Sequence, residues 1–279
     1  MENIRIALER ARAFSVGGGE QSAPSATSSP SLALEPHLAS IENLIDGQGR
    51  EVTLNLARLE SNRIIAHDDA DPRSKCFDML RTQVLQSMDR KNWKVLGVTS
   101  PSPGCGKTVA AVNLALSIAR QPDRSVLLVD LDLRKPQVAS YLGINCDSGA
   151  VSVLNGRTSL SSAVVKARAG DYCITVLPAE STTSDSAALM VSRAMSAMLQ
   201  EIKRNPHSYT VIIDLPPMLW SDDVIAVLPQ LDCVLLLAAV GKSTVAEVEE
   251  CTKHLQSAEV IRFVLNKSPE LTKRYNAYY

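Results

Sequence analysis

SPSPGCGKT, from Ser100 to Thr108, follows the apolar run Trp93 to Thr99 and precedes a stretch in which Val112, Leu116 and Ala119 recur at helical spacing. A strand, a glycine-rich turn and a helix in that order predict a phosphate cradle. The loop Pro103-Gly104-Cys105-Gly106 can wrap phosphate oxygens with the backbone N–H groups of its last three residues, Lys107 reaches the β/γ oxygens, and the Thr108 hydroxyl is offered to Mg²⁺. Thr108 and Val109 fall in the first helical turn, where free N–H groups meet phosphate.

Two further segments share one design. VLLVDLDLRKP (Val126 to Pro136) and YTVIIDLPP (Tyr209 to Pro217) are apolar runs that end in Asp, as buried strands do when they deliver carboxylates to the rim of a parallel sheet. Asp130 and Asp132, two residues apart, suit a division of labour in which one orients metal-bound water and the other accepts a proton from an incoming hydroxyl. Arg134 is placed to bind an oxyanion or to brace Asp132. Asp214 is expected to ligate the metal, while Asp222 and Asp223 suit a helix cap as well as an active-site contact. The three segments together predict ATP and Mg²⁺ as ligands.

Composition bounds the alternatives. With 279 residues, 45% of them apolar, the chain has enough material for a substantial core. A formal charge of -1 gives it no electrostatic reason to seek nucleic acid. The six cysteines are scattered without a CxxC pair, which argues against a disulfide framework or a structural zinc site and for a reducing cytoplasm. No apolar run approaches the length of a membrane span, so any membrane association is expected through a partner.

Periodicity divides the chain. Residues 1–16 read as an amphipathic helix with Ile4, Leu8, Ala11 and Phe14 on one face, equally suited to docking on a partner and to packing on its own domain. Residues 17–70 read as a flexible, weakly structured linker, with a short helix possible over Pro36 to Asp46. Residues 71–268 carry the α/β signal of a P-loop NTPase fold. A helix starts at Pro72, strands are expected at Trp93–Thr99, Val126–Val129, Ile174–Leu177, Thr210–Ile213, Val234–Ala238 and Val260–Leu265, and helices lie at Val109–Ala119, Ala187–Lys203 and Ala246–Leu255. Alternation of this kind predicts a mostly parallel β-sheet flanked by helices. Residues 269–279 form a tail holding Tyr275, Tyr278 and Tyr279, half of the chain's six tyrosines, behind Lys273 and Arg274. Such a tail suits a phosphoacceptor entering a neighbouring active site, or a docking element.

From Asp71 to Tyr279 the chain resembles bacterial tyrosine kinases of the capsular and exopolysaccharide type, in their cytoplasmic form. The resemblance rests on the joint occurrence of TSPSPGCGKT, LLVDLDLRKP, VIIDLPP, YLGINCDSGAVSVLNG, VGKST, VLNK and the tyrosine tail. It implies a Walker A loop at the phosphate cradle, Walker A′ at Asp130 and Asp132, and Walker B at Asp214. It further implies phosphate held by Lys107, magnesium arranged by Thr108, Asp130 and Asp214, hydroxyl activation by Asp130 and Asp132 with support from Arg134, and Asn266 near the nucleotide base. The implied activity is autophosphorylation of the tail between subunits of a homo-oligomer. The implied partners are a membrane polysaccharide copolymerase, or its cytoplasmic activator segment, which would recruit the kinase to the inner face of the membrane, and an opposing tyrosine phosphatase.

The resemblance has departures. KCFDMLRT places Lys75 and Asp78 where family members carry a Glu and an Arg that support ring assembly, while Arg81 is retained. Cys105 stands where the loop usually has an acidic residue. These differences leave an ATP-gated regulatory switch as the alternative activity. Partition and division ATPases share the loop architecture, but their signature lysine would fall at Ser102, so that role is disfavoured.

Overall fold

The strand carrying the phosphate loop lies inside an eight-stranded sheet, because its residues are buried on both faces. The computed structural model describes residues 50–204 and 209–268. The strands are β1 (Arg50–Thr53), β2 (Val95–Thr99), β3 (Ser125–Asp130), β4 (Val165–Ala169), β5 (Tyr172–Leu177), β6 (Tyr209–Asp214), β7 (Cys233–Ala239) and β8 (Val260–Asn266), in the order β1-β4-β5-β3-β6-β2-β7-β8. Only the β4–β5 pair is antiparallel; all other neighbours run parallel. The three strands that precede the sequence motifs, β3, β6 and β2, are consecutive at the centre. Parallel alignment therefore brings their carboxyl ends, and the loops that follow, to one edge.

Alternation along the central strands feeds two cores. Leu127, Val129, Val211 and Ile213 face one, while Val126, Leu128, Leu96, Val98 and Ile212 face the other. Burial on both sides explains why these strands read as unbroken apolar runs. The second core is covered by α2 (Lys75–Lys91) and α3 (Lys107–Ala119). On the opposite face lie α5 (Ala150–Leu154), α6 (Leu160–Ala163) and α8 (Arg193–Arg204). Among the described residues no helix is long and apolar enough to cross a membrane.

Each expected strand is present, and two others were not anticipated. The antiparallel β4 (VKARA) turns into β5 at Gly170, whose φ of 61° suits glycine. The edge strand β1 (REVT) is almost wholly exposed, so no apolar pattern announces it. It is positioned instead by pairing with β4, Arg50 opposite Val165 through Thr53 opposite Arg168. The single helix expected over Ala187–Lys203 is two, α7 (Ser186–Met190) and α8, because the Ser192 hydroxyl accepts from the Met195 N–H at 3.0 Å and starts the second.

The linker reading of residues 17–70 requires correction over its last part. Residues 50–66 belong to the folded domain: β1 is followed by α1 (Leu56–Ser61), and Leu54, Leu59, Ile64 and Ala66 are buried in the second core. Asn113, fully buried in α3, ties the end of that segment to the helix. Its Oδ1 accepts from the Ile65 and Ala66 N–H groups at 2.8 and 2.9 Å, and its Nδ2 donates to the Arg63 and Val109 carbonyls at 2.9 and 2.8 Å. One amide side chain thus satisfies backbone that a linker would leave to water. The readings of residues 1–16, of 17–49 and of the tail 269–279 lie outside the described residues.

Asn113→Ala would strand two buried N–H groups. A loss of about 2–4 kcal/mol in unfolding free energy is expected, seen as a lower urea midpoint at unchanged slope. A change below about 0.5 kcal/mol would show that water replaces the amide there.

Candidate active site

The loop from Ser100 to Gly106 reverses direction through two glycines with φ of 80° at Gly104 and 94° at Gly106, a region other residues enter only with strain. Gly106 is also tightly covered, since a Cβ there would lie 2.5 Å from Asn266 Nδ2. The turn releases the chain into α3 with Lys107 and Thr108 in its first turn, both buried. Pro103 and Gly104 form the exposed lip of the loop, and Val109 packs partly into the core beneath it.

Lys107 Nζ lies 2.5 Å from Asp132 Oδ2 and 3.8 Å from Asp214 Oδ1. Burial works against its ammonium form, but the Asp214 and Asp132 carboxylates outweigh that and hold its pKa above the ordinary lysine value. The Thr108 hydroxyl donates to Asp214 Oδ2 at 2.6 Å. Asp214 Oδ1, fully buried, has no hydrogen-bond partner beyond that distant ammonium. Burial pushes the Asp214 carboxyl upward against the pull of Lys107 and Thr108. A buried carboxylate oxygen without a hydrogen-bond donor, beside a threonine hydroxyl, is a fitting half-site for Mg²⁺, which takes one or two protein oxygens and completes its shell with phosphate and water. Thr108 and Asp214 would hold the metal there.

Asp130 sits directly opposite Asp214 in the β3–β6 register. The sequence places it at the metal and in catalysis; in this structure both its oxygens accept from backbone. Oδ1 accepts from the Asp132 N–H at 3.1 Å, and Oδ2 accepts from the Gln137 and Val138 N–H groups, each at 3.0 Å. These bonds shape the loop that carries Asp132 and start α4 (Val138–Leu142). Complete burial and the nearby Asp214 push the Asp130 carboxyl up to about 8.

Arg134 also departs from expectation. It does not brace Asp132; its Nε lies 3.1 Å from the buried Asp223 carboxylate and its Nη2 3.7 Å from Asp222. Asp223 opens α9 (Asp223–Val227), and neither Asp222 nor Asp223 caps that helix through its side chain. The Arg134–Asp223 pair links the loop after β3 to the segment after β6, a tie that sequence reasoning missed because the two residues lie 89 positions apart.

At the other flank, Asn266 was expected near the nucleotide base. Its Nδ2 donates to the Cys105 carbonyl at 2.8 Å, and Lys267 Nζ donates to the Gly104 carbonyl at 2.7 Å. The end of β8 therefore clamps the phosphate loop from behind. Cys105 is buried, with its sulfur 3.3 Å from the Ser243 hydroxyl and 3.7 Å from that of Ser102. In the segment of the departures noted above, Asp78 Oδ1 accepts from Ser117 Oγ at 2.8 Å, Arg120 at 3.0 Å and Arg81 at 3.1 Å. Arg81 is thus committed within its own chain. Tyr275, Tyr278 and Tyr279 lie outside the described residues.

Known proteins share this fold. A family profile described as an AAA domain matches residues 93–259. The chain is 30% identical to the tyrosine-protein kinase YwqD of Bacillus subtilis, over 71% of this chain and 80% of that protein. It is also 30% identical to the putative tyrosine-protein kinase EpsB of Ralstonia nicotianae, over 74% of this chain but 27% of EpsB, so it spans little more than a quarter of that relative's length. The solved VpsO kinase domain superposes with a TM-score of 0.61 at 29% identity, covering 70% of this chain and 96% of that one.

Asp214→Asn removes the charge beside Thr108 without changing shape. The Mg²⁺ concentration needed for half-maximal nucleotide binding is expected to rise at least about tenfold. Titration of Mg²⁺ against a fluorescent ATP analogue measures it, and an unchanged midpoint would remove Asp214 from the metal site.

Proposed function

We propose that this chain, which belongs to the bacterial tyrosine-kinase family of P-loop ATPases, is an ATP-dependent protein-tyrosine autokinase whose own tail is the acceptor. The observation that carries this reading is the convergence of Lys107, Thr108, Asp132 and Asp214 at one sheet edge, in a chain that ends with Tyr275, Tyr278 and Tyr279. ATP and Mg²⁺ are the cofactors the donor set suits, Mg²⁺ supplying charge neutralisation on the phosphates.

The roles follow from the contacts. Lys107 can exchange Asp132 for phosphate oxygens, since a charge-assisted bond to triphosphate replaces the one it gives up. Asp132 is then free to take the phenolic proton as the tyrosine oxygen bonds to the terminal phosphorus and the bond to the β-phosphate oxygen breaks, leaving ADP. Thr108 and Asp214 orient the metal. Asp130 and Arg134 act at one remove, holding the Asp132 loop in position. The same reading places the chain in the control of exopolysaccharide or capsule polymerisation and export, in the cytoplasm, with a membrane copolymerase segment as activator and a tyrosine phosphatase as opponent.

Incubation with Mg²⁺ and ATP, followed by phosphosite mass spectrometry, is expected to find phosphate on the tail tyrosines. Persistent absence of phosphotyrosine with ATP turnover intact would instead support the ATP-gated switch. Lys107→Ala is expected to weaken triphosphate binding by at least about tenfold. Asp132→Asn should lower the transfer rate by about 10²-fold with a smaller change in affinity. Undiminished transfer by Asp132→Asn would exclude it as the proton acceptor.

A further inference from the structure

The segment that leaves β6 holds a large aromatic side chain in water on a rigid support. After Pro216 and Pro217, the turn Met218–Trp220 is pinned to the phosphate-loop entry by two backbone bonds, Met218 N–H to the Ser100 carbonyl at 2.8 Å and Leu219 N–H to the Pro101 carbonyl at 3.2 Å. Met218 is buried and Leu219 packs against the same core. Trp220 is nevertheless 70% exposed. Two residues on, the Asp222 side chain is 75% exposed, held only by the 3.7 Å approach of Arg134. Asp223 takes the main pairing with Arg134, so two carboxylates and one guanidinium leave a net negative charge on the segment that follows Trp220. Arg134 lies two residues beyond Asp132, which joins this platform to the proposed proton acceptor.

An exposed indole after a turn pinned by two backbone bonds, with a carboxylate two residues on, is chemistry for a cation that is followed by an aromatic group. Cations seat on the indole face and pair with the acid, and preorganised Trp residues anchor interfaces at low entropic cost. That order occurs twice near the end of the sequence: Arg262-Phe263, which is built into β8, and Lys273-Arg274 directly before Tyr275, where two cations precede the aromatic group and lie beyond the last strand. The tail departs from the end of β8, however, and the sheet order β6-β2-β7-β8 puts the phosphate loop, which follows β2, between that point and Trp220. On the strand order, the phosphate loop lies between the end of β8 and a chain's own Trp220, whereas a second copy meets no such obstacle.

We propose that Trp220 and Asp222 form the docking anchor for the Lys273–Arg274–Tyr275 segment of a second copy of this chain, setting Tyr275 beside Asp132. The proposal rests on the autokinase reading for its purpose, but its binding step can be read without chemistry. In full-length protein carrying Trp93→Phe, Trp220 is the sole tryptophan. A synthetic peptide of residues 269–279, which lacks tryptophan, is expected to change its emission saturably, and the same peptide with Lys273→Ala and Arg274→Ala to bind about tenfold more weakly. No emission change, or equal affinity of both peptides, overturns the anchor.

For transfer, a donor with all three tail tyrosines changed to Phe is paired with a Lys107→Ala acceptor. Trp220→Ala in the donor should raise the acceptor KM about tenfold while kcat and MgATP affinity stay within about twofold. Trp220→Phe should recover most of the loss, which separates recognition from misfolding. Loss of MgATP affinity in Trp220→Ala would mean that the indole serves the nucleotide and would sink the proposal. Peptide binding without transfer by the Trp220-containing donor would defeat the autokinase reading and leave the docking anchor standing.

Discussion

The ammonium of Lys107, buried between Asp132 and Asp214, is the constraint around which the rest of this molecule is arranged. Charges withdrawn from water are costly unless paired and hydrogen-bonded, and three carboxylates, Asp130, Asp132 and Asp214, crowd one buried edge with a single ammonium among them. The fold meets the excess negative charge locally. Thr108 donates to Asp214, three backbone N–H groups donate to Asp130, and Lys107 occupies Asp132. What is left over is the unmatched Asp214 oxygen, where the proposed Mg²⁺ would relieve the imbalance.

Holding that cluster in register requires polar side chains whose work is on the backbone. Asp130 shapes the Asp132 loop, Asn266 and Lys267 fasten the phosphate loop from the end of β8, and Asn113 ties the segment before α2 to the helix that carries Lys107. Such interactions are easily mistaken for ligand contacts in a sequence, since an Asp after a strand and an Asn before a terminus look the same whether they face a nucleotide or a peptide group. The same holds for Asp78, whose acceptance of Arg81, Arg120 and Ser117 makes it the centre of an internal cluster. Family membership sharpens what the loop and the two Asp-terminated strands are for, while these backbone-directed contacts hold them in place.

Legibility in the sequence followed burial. Strands enclosed on both faces, such as VLLVD and YTVIID, carry continuous apolar runs and were readable with their terminal carboxylates. REVT at β1 is a strand only because β4 is beside it, and its exposed charges carry no periodic signal. The phosphate loop was readable because its chemistry is local: glycines, a lysine and a hydroxyl within consecutive residues. Asp223, Lys267 and Asn113 were not, because each acts on a partner 89, 163 or about 50 positions away.

The sequence by itself therefore determined the α/β class, the parallel core, the phosphate loop and the pair of Asp-terminated strands, since each is encoded by short-range periodicity or by adjacent residues. Only the tertiary structure decided which carboxylate is left with an unpaired oxygen beside Thr108 and which holds backbone, that Arg134 belongs to Asp223, and that Trp220 stands exposed after the turn pinned to the phosphate-loop entry. The physical reason is that a carboxylate's or an indole's role is set by what lies within a few ångströms of it, and those neighbours arrive from strands and loops far apart in the chain.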